Sequence, residues 1–345
     1  MSLEFSSSQS DGAPSETPGS TQPLRSPLDR RLLIITGKGG TGKTTVTAAL
    51  AVGASRSGKR VLVVEMGRGE HVPCLLAPGA PEVGYAGREI IAGVTVIRID
   101  PIQALGEYLA LQLGVRSPVD RALGNRGFQQ LLAAAPGWRE LITLGKIWHL
   151  AESTGADGRR LYDLIVVDAP STGHGVTFLD VPRVVISAVR NGPLRRNAER
   201  VEQMLVDPER TLLLPVALAE ELPTRETVEL VERLRRQVGI PVDRVVVNGV
   251  FPRPFPREVP DLDARLARLP DATLSTHLPR PSVLAACARQ LRARFELNRH
   301  YIGQLAELTD LPLVALPYRF EGIEHPESLG VLADALMGAP RTAAA

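Results

Sequence analysis

The chain has 345 residues, of which 44% are hydrophobic, and a formal net charge of +2 at pH 7. This length permits a large buried core, and the weak charge argues against nucleic acid or an anionic membrane surface as the main partner. With only two cysteines, Cys74 and Cys287, and no CxxC, a disulfide framework and a four-thiolate zinc site within the chain are disfavoured. We predict that both cysteines are buried small hydrophobic residues.

The first 28 residues are rich in serine, proline, glycine and glutamine and contain no apolar segment typical of a secretion signal. We predict a disordered tail over 1–28. No run in the chain approaches the roughly 18 apolar residues of a membrane-spanning helix, so no transmembrane segment is expected. These features predict a soluble, cytoplasmic protein.

Short β-branched runs alternate with stretches of helical spacing along most of the remaining chain. Most of these runs are apolar throughout, which is typical of strands covered on both faces. Their alternation with helices predicts an α/β fold with a doubly wound, mostly parallel sheet, in which ligands bind at the carboxyl ends of the strands. The predicted strands are Arg31–Thr36, Arg60–Glu65, Val94–Ile99, Leu161–Asp168, Val184–Val189, Thr211–Val216, Arg244–Asn248 and Leu313–Leu316.

Between the third and fourth predicted strands, at about 100–155, the sequence has helical spacing and no strand signal. We interpret this stretch as a helical insertion in the α/β core. Its apolar faces fit either ordinary core packing or a groove for a client or partner. Further on, the proline-rich Phe251–Asp263 predicts a loop, and a long helix is expected from about Ser282 to Leu308.

The segment that directly follows the first strand reads GKGGTGKTT and matches two phosphate-binding patterns. In G-x-G-x-x-G, Gly37, Gly39 and Gly42 would hold a dinucleotide, and Glu65 at the end of the next strand would bind a ribose. In G-x-x-x-x-G-K-[ST], the backbone amides of the loop cradle the phosphates of a nucleoside triphosphate. A glycine turn without a ligand is the third interpretation.

Lys43 and Thr44 decide between these patterns, because a dinucleotide-binding helix opens with a small or apolar residue. In the triphosphate pattern Lys43 reaches the β and γ oxygens, and the Thr44 hydroxyl ligates Mg²⁺. A second acid is then expected at the end of a core strand, and LIVVD supplies Asp168, which would hold Mg²⁺ through water. We predict one P-loop domain over 29–340. Its phosphate-binding residues are Gly37, Lys38, Gly39, Gly40, Thr41, Gly42, Lys43, Thr44 and Thr45.

The loop carries an extra lysine, Lys38, and the resulting GKGGTGKT resembles the deviant Walker A sequence of the ArsA, MinD, ParA and nitrogenase-iron-protein class. This resemblance implies that Lys38 of one subunit reaches the phosphates on the other subunit of a nucleotide-sandwich dimer. A cation supplied in this way stabilises the charge that spreads over the phosphoryl oxygens in the transition state. The alternative is a solvated loop lysine.

Within this class the chain most resembles the ArsA and guided-entry (tail-anchored protein targeting) ATPases, over about residues 31–340. The segment DAPSTGHGVTFLDVP resembles their switch II. The resemblance implies switch roles for Asp168, Pro170, Gly173 and His174. Gly173 would let the backbone approach the γ-phosphate, and His174 would sense it.

Two further segments resemble the parts of these ATPases that contact the base. RVVVNGV is similar to the strand whose asparagine recognises adenine, which implies that role for Asn248. LPLVALPYRFEGI is similar to the segment whose proline-flanked loop touches the base, which implies a contact at Pro317.

The chain departs from these relatives where an aspartate-proline pair follows the second strand. Glu65 takes the place of the aspartate that positions the attacking water, and the proline is missing. A longer carboxylate still permits slow hydrolysis, so we assign Glu65 to water positioning. Capping or ion pairing at the strand end is the alternative.

The chain also lacks the CxxC that gives targeting ATPases a zinc ion between their subunits, and the cysteine cluster that binds metalloid in arsenite pumps. An arsenite-efflux role is therefore disfavoured. In these respects the chain resembles paired bacterial ArsA-like ATPases, which have a glutamate in switch I and no CxxC.

The resemblance implies an ATPase that uses ATP and Mg²⁺ and works as a nucleotide-switched dimer. The partner would be a second copy or a paralogous ATPase, and the driven client an unknown protein or membrane component. The alternative is an ATP-bound regulatory subunit that hydrolyses weakly. A MinD- or ParA-type positioning role is disfavoured, because the C-terminal segment is no amphipathic anchor and the weak charge predicts no DNA contact.

Overall fold

The computed structural model describes residues 25–66, 71–114, 117–134, 137–255, 259, 261–270, 279–323 and 326–338, with the backbone alone at 117, 118, 120, 129, 131, 133 and 172–174. An eight-stranded sheet with the order β3-β4-β2-β5-β1-β6-β7-β8 forms the centre. Its strands are β1 (Leu32–Thr36), β2 (Val61–Glu65), β3 (Arg88–Ile91), β4 (Val94–Arg98), β5 (Leu164–Asp168), β6 (Thr211–Leu218), β7 (Val245–Val250) and β8 (Leu313–Pro317).

Helices cover both faces of this sheet. They are α1 (Lys43–Arg56), α2 (His71–Leu76), α3 (Pro101–Leu113), α4 (Ser117–Leu123), α5 (Arg126–Ala134), α6 (Trp138–Glu152), α7 (Thr172–Ala188), α8 (Pro193–Val206), α9 (Glu221–Arg233), α10 (Leu262–Ala267), α11 (Pro281–Thr309) and α12 (Pro326–Met337). None of these helices is long and apolar enough to cross a membrane.

The mostly parallel, doubly wound α/β sheet is confirmed. In the described part of the chain every strand pair is parallel except β3 with β4. Side chains alternate between the two faces of β1, so that Leu33 and Ile35 pack with α1 and α12, whereas Leu32 and Ile34 pack with α6 to α9. Both faces of the strand are therefore buried, which explains its continuous apolar run.

The predicted strand Val184–Val189 is wrong, because Val184 to Ala188 form the end of helix α7. Val181 and Val185 lie four residues apart and pack in the same small cluster with Leu141 of α6, whereas Val184 is 56% exposed. A short apolar run fits a strand and a buried helical turn equally well, and the helical spacing begins upstream of the run.

Strand β3 has no counterpart among the predictions. It lies at the edge of the sheet, and its four residues, REII, are exposed or half-buried, so the expected apolar run is missing.

The helical insertion is confirmed as α3 to α6, and the long helix is confirmed as α11. The predicted proline-rich loop ends early, since Leu262 and Asp263 begin α10.

Two sequence-based predictions need correction: the extent of the disordered N-terminal tail and the burial of the two cysteines. Residues 25–28 belong to the folded body, because Leu28 is buried in the core and the carbonyl of Arg25 accepts a hydrogen bond from Arg244 Nη2 at 2.6 Å. The rest of the predicted tail lies outside the described residues. Cys74 and Cys287 are exposed free thiols, not buried residues, because each occupies a solvent-facing position on its helix.

Candidate functional site

Three neighbouring strands bring the candidate site together. Strands β2, β5 and β1 lie side by side and in parallel, with Glu65 directly opposite Asp168 in the register. The glycine loop leaves the carboxyl end of β1 and enters α1 at Lys43. The loop and both acids therefore share one edge of the sheet, as the sequence predicts.

Two glycines of the loop are required by close contacts. Gly37 has φ +147°, and a Cβ there would lie 2.3 Å from the carbonyl oxygen of Val216; Gly42 has φ +89°, and its Cβ would lie 2.1 Å from Asn248 Nδ2. Both the backbone conformation and the lack of space exclude a side chain. Asn248 Nδ2 donates to the carbonyl oxygen of Thr41 at 3.0 Å and so supports the loop from β7.

The outer part of the loop is open. A Cβ on Gly39 or Gly40 would meet no atom within 4 Å, and Gly40 has φ +83°. Within the described residues, the backbone amides of Gly39, Gly40 and Gly42 donate no hydrogen bond. A run of free amides at the start of a helix forms a concavity that favours an anion.

Lys43 lies across this concavity. Its Nζ donates to the carbonyl oxygen of Lys38 at 2.9 Å, so the ammonium closes the loop on itself. Burial lowers the pKa of Lys43, and the charge of Asp168 partly offsets that shift. A partly desolvated ammonium interacts with an anion more strongly than one in bulk water does.

Thr44 and Asp168 form the second polar contact of the site. Thr44 Oγ1 donates to Asp168 Oδ2 at 2.7 Å. Burial raises the pKa of Asp168, and the charge of Glu65 adds to the rise, while Thr44 and Lys43 lower it. A hydroxyl beside a buried carboxylate is the hard-oxygen donor set that suits Mg²⁺, and a cation there would relieve the cost of burying the charge. These two residues therefore fit the metal.

Lys38 is engaged within its own chain. Its Nζ lies 2.6 Å from Glu226 Oε1 on α9, and both side chains are about one-third exposed, at 33% and 31%. The pair lies at a depression that Ser171, Glu229 and other residues line. Sequence reasoning missed Glu226, because α9 carries several glutamates and nothing local distinguishes this one.

Glu65 is 1% exposed, and described groups surround its carboxylate. Oε1 accepts from the backbone amides of His71 at 2.8 Å and Val72 at 3.1 Å at the start of α2, and Oε2 accepts from Arg98 Nη2 at 2.9 Å. Arg98 is the residue opposite Glu65 on β4. This geometry favours capping and ion pairing, the alternative that the sequence leaves open; water positioning stays a prediction.

Replacing Glu65 with glutamine distinguishes the two roles. We expect the free energy of unfolding of the nucleotide-free protein to fall by about 1–3 kcal/mol, since the amide cannot pair with the charge of Arg98. Urea unfolding followed by circular dichroism measures the loss. Glu199→Gln, which removes one exposed ion pair with Arg195 on α8, is the control and should cost about 0.5 kcal/mol or less. Wild-type stability with lost turnover would instead assign Glu65 to the chemistry.

Switch II begins where β5 ends. Pro170 precedes α7, and Gly173 and His174 lie in its first turn. For Gly173 and His174 the structure describes the backbone alone. Sequence reasoning missed Gly175, where a Cβ would lie 3.0 Å from the carbonyl oxygen of Pro170 and 3.1 Å from Thr36 Oγ1. This glycine lets the first turn of α7 pack against the end of β1.

Pro317 ends β8, next to the end of β7. Immediately beyond it, three aromatic side chains cluster. Phe251 stacks on Tyr318 with ring centroids 4.3 Å apart, and Phe320 contacts both rings edge-on. Tyr318 and Phe320 are exposed, so they offer aromatic surface at this edge of the sheet.

Known proteins are similar to this chain over most of its length. The chain matches the model of the anion-transporting ATPase family, ArsA_ATPase, over residues 30–192 and 193–268. It is 32% identical to ATPase BagA of Mycobacterium tuberculosis over 306 residues, which cover 85% of this chain and 89% of that protein. It is 28% identical to the arsenical pump-driving ATPase of Acidiphilium multivorum over 237 residues, or 64% of this chain and 39% of that protein.

Proposed function

The chain belongs to the ArsA family of anion-transporting ATPases, and from that premise we propose that it binds Mg·ATP, hydrolyses it and works as a nucleotide-switched dimer. The observation that carries the proposal is the convergence of Lys43, Thr44 and Asp168 around the open glycine loop. Isothermal titration calorimetry with ATP and magnesium tests the binding, and phosphate release tests the hydrolysis.

Each group at the loop has a separate task in this proposal. The free amides and the Lys43 ammonium bind the β- and γ-phosphates, exchanging the contact with the carbonyl of Lys38 for phosphate oxygens. Thr44 and, through water, Asp168 would hold Mg²⁺, which supplies charge neutralisation on the phosphate oxygens. Because Asp168 is buried and its pKa is raised, its carboxylate gains from the bound cation.

Asn248 reads adenine in this proposal while it supports the loop. One N–H of its amide is used by the carbonyl of Thr41, so the second N–H and the amide oxygen are available to a base. The loop after Pro317 would contact the other side of the base. Both residues lie on neighbouring strands, β7 and β8, on the same edge as the phosphate loop.

Lys38 acts on the nucleotide of the partner subunit in this proposal, and the partner is a second copy or a paralogous ATPase. Its ion pair with Glu226 holds the lysine within its own chain. The pair must open before the lysine reaches across a dimer interface. Glu226 thus opposes closure of the dimer by the free energy of one ion pair whose side chains are about one-third exposed.

We expect Glu226→Gln to raise ATPase activity at low protein concentration. The concentration that gives half-maximal specific activity should fall about two- to fivefold, which corresponds to the 0.5–1 kcal/mol of such a pair. Steady-state phosphate release across a dilution series measures the shift. Glu229→Gln is the matched control, because this glutamate lines the same depression and makes no ion pair with Lys38 in the described part of the chain. Equal curves for Glu226→Gln and wild type would contradict the proposed restraint.

A second candidate function is that of an ATP-bound regulatory subunit that hydrolyses weakly. The engagement of Glu65 by Arg98 and α2 favours it, because both carboxylate oxygens already accept hydrogen bonds from described groups in this conformation. Turnover measured alone and with the paralogous ATPase separates the two. Activity in the isolated chain supports the enzyme, and stimulation of the paralogue by an inactive chain supports the subunit.

A further inference from the structure

Helices α3, α6 and α8 line a half-open cavity of about 180 Å³ in which no residue of the glycine loop, switch II or the base-contacting segments takes part. Its walls include Tyr108, Ile142, Lys146, Trp148, Asn197 and Arg200. A volume of roughly 150 Å³ is large enough for benzene, so this cavity accommodates a single substituted aromatic ring. Two of its walls, Tyr108 and Trp148, are themselves aromatic.

Asn197 of α8 contributes a side-chain amide to the wall of the cavity. The residue is 7% exposed and lines the cavity, yet its side chain makes no hydrogen bond within the described residues. Gly145 of α6 makes room for it, since a Cβ there would lie 3.0 Å from Asn197 Nδ2. The amide therefore has N–H groups and an oxygen left for a polar group of a ligand in the cavity.

The charge around the cavity is positive. Its one carboxylate, Glu107, is already paired with Lys146. Arg200 lies with its Cζ 5.5 Å from the centroid of the Trp148 ring and has no carboxylate partner in the described part of the chain. Arg200 lines the cavity together with Tyr108 and Trp148, so an anionic group at that end would meet its guanidinium.

From these observations we propose that the cavity binds a small aromatic carboxylate. The ring would lie between Tyr108, Ile142 and Trp148, and the carboxylate would accept hydrogen bonds from Arg200 and from the amide of Asn197. The guanidinium of Arg200 favours an anionic ligand over a neutral ring, and a larger anion would exceed the volume.

Ligand-observed NMR of the full chain with benzoate, salicylate and phenylacetate tests the proposal. Benzamide is the neutral control for benzoate. We expect saturable binding of at least one carboxylate in the millimolar range or tighter, and about tenfold weaker binding of the amide, because a hydrogen bond to a charged group contributes roughly 1.5–3 kcal/mol. Equal binding of benzoate and benzamide, or no saturable binding of any carboxylate, would overturn the proposal.

Variants locate the site. Arg200→Met and Asn197→Ala should each weaken carboxylate binding about tenfold. Arg299→Met on α11 removes the same charge from an exposed position that does not line the cavity, and it should have no effect. Repeating the titration with Lys43→Ala excludes the glycine loop as the anion site. Loss of binding in Lys43→Ala, or wild-type binding in Arg200→Met, would assign the ligand elsewhere and overturn the proposal.

Discussion

Replacing Lys43 with alanine is expected to abolish measurable binding of Mg·ATP. The side chain is half-buried, and its ammonium donates to a carbonyl of the glycine loop itself, that of Lys38. Charge-assisted hydrogen bonds contribute roughly 1.5–3 kcal/mol each, so losing two phosphate contacts weakens binding on the order of 10²- to 10⁴-fold. Calorimetric titration with ATP in excess magnesium measures the loss.

Lys59→Ala is the matched control for this experiment. Lys59 also donates from Nζ to a backbone carbonyl, that of Leu28 at 2.8 Å, but it precedes β2 and so lies at the opposite end of the sheet from the loop. Each variant loses one hydrogen bond from a lysine ammonium to a backbone carbonyl. We expect only Lys43→Ala to lose ATP binding. Unchanged ATP affinity in Lys43→Ala, with the fold intact by circular dichroism, would refute the phosphate-binding role.

Replacing Lys38 with alanine is expected to leave ATP binding intact and to reduce turnover by up to about 10³-fold. Cations supplied across an interface contribute roughly 10³–10⁵ in related phosphoryl transfers, and a lysine that reaches only the closed dimer adds nothing to the first binding step. Calorimetry measures the affinity and phosphate release the rate. Wild-type turnover in Lys38→Ala would show that the lysine is a bystander.

A mixing experiment tests the action in trans directly. Lys38→Ala subunits bind ATP and lack the cation, whereas Lys43→Ala subunits retain Lys38 and lack the nucleotide. A mixed dimer contains one complete site, so the mixture should recover turnover that neither variant shows alone. Recovery requires two copies of this chain to pair, and its absence would contradict a homodimer in which Lys38 acts in trans.

A double variant separates the restraint by Glu226 from other effects on α9. Suppose that Glu226 acts only through its ion pair with Lys38. Then Glu226→Gln should not shift the protein concentration of half-maximal specific activity in a chain that already carries Lys38→Ala. Contacting residues that share one interaction show such non-additivity. An equal shift in the wild-type chain and in the Lys38→Ala chain would show that Glu226 does not act through Lys38.

Most of the sheet could be predicted from the sequence because its strands are buried on both faces. Continuous apolar runs such as LLIIT and LIVVD have few other stable arrangements in a chain of alternating strands and helices. Apolar runs did not predict the exposed edge strand β3, and they wrongly predicted a strand at Val184–Val189, where α7 ends. In both cases the neighbours in space, and not the local run, decide the conformation.

The sequence by itself determined the glycine loop and its place at the edge of the sheet. The requirements there are local: positive φ at Gly37 and Gly42, and a lysine and a threonine at the start of the following helix. Only the tertiary structure decided which groups the charged side chains meet. Lys38 finds Glu226, and Glu65 finds Arg98, because a long side chain pairs with whatever charge the folded helices and strands bring within reach, however distant it is along the chain.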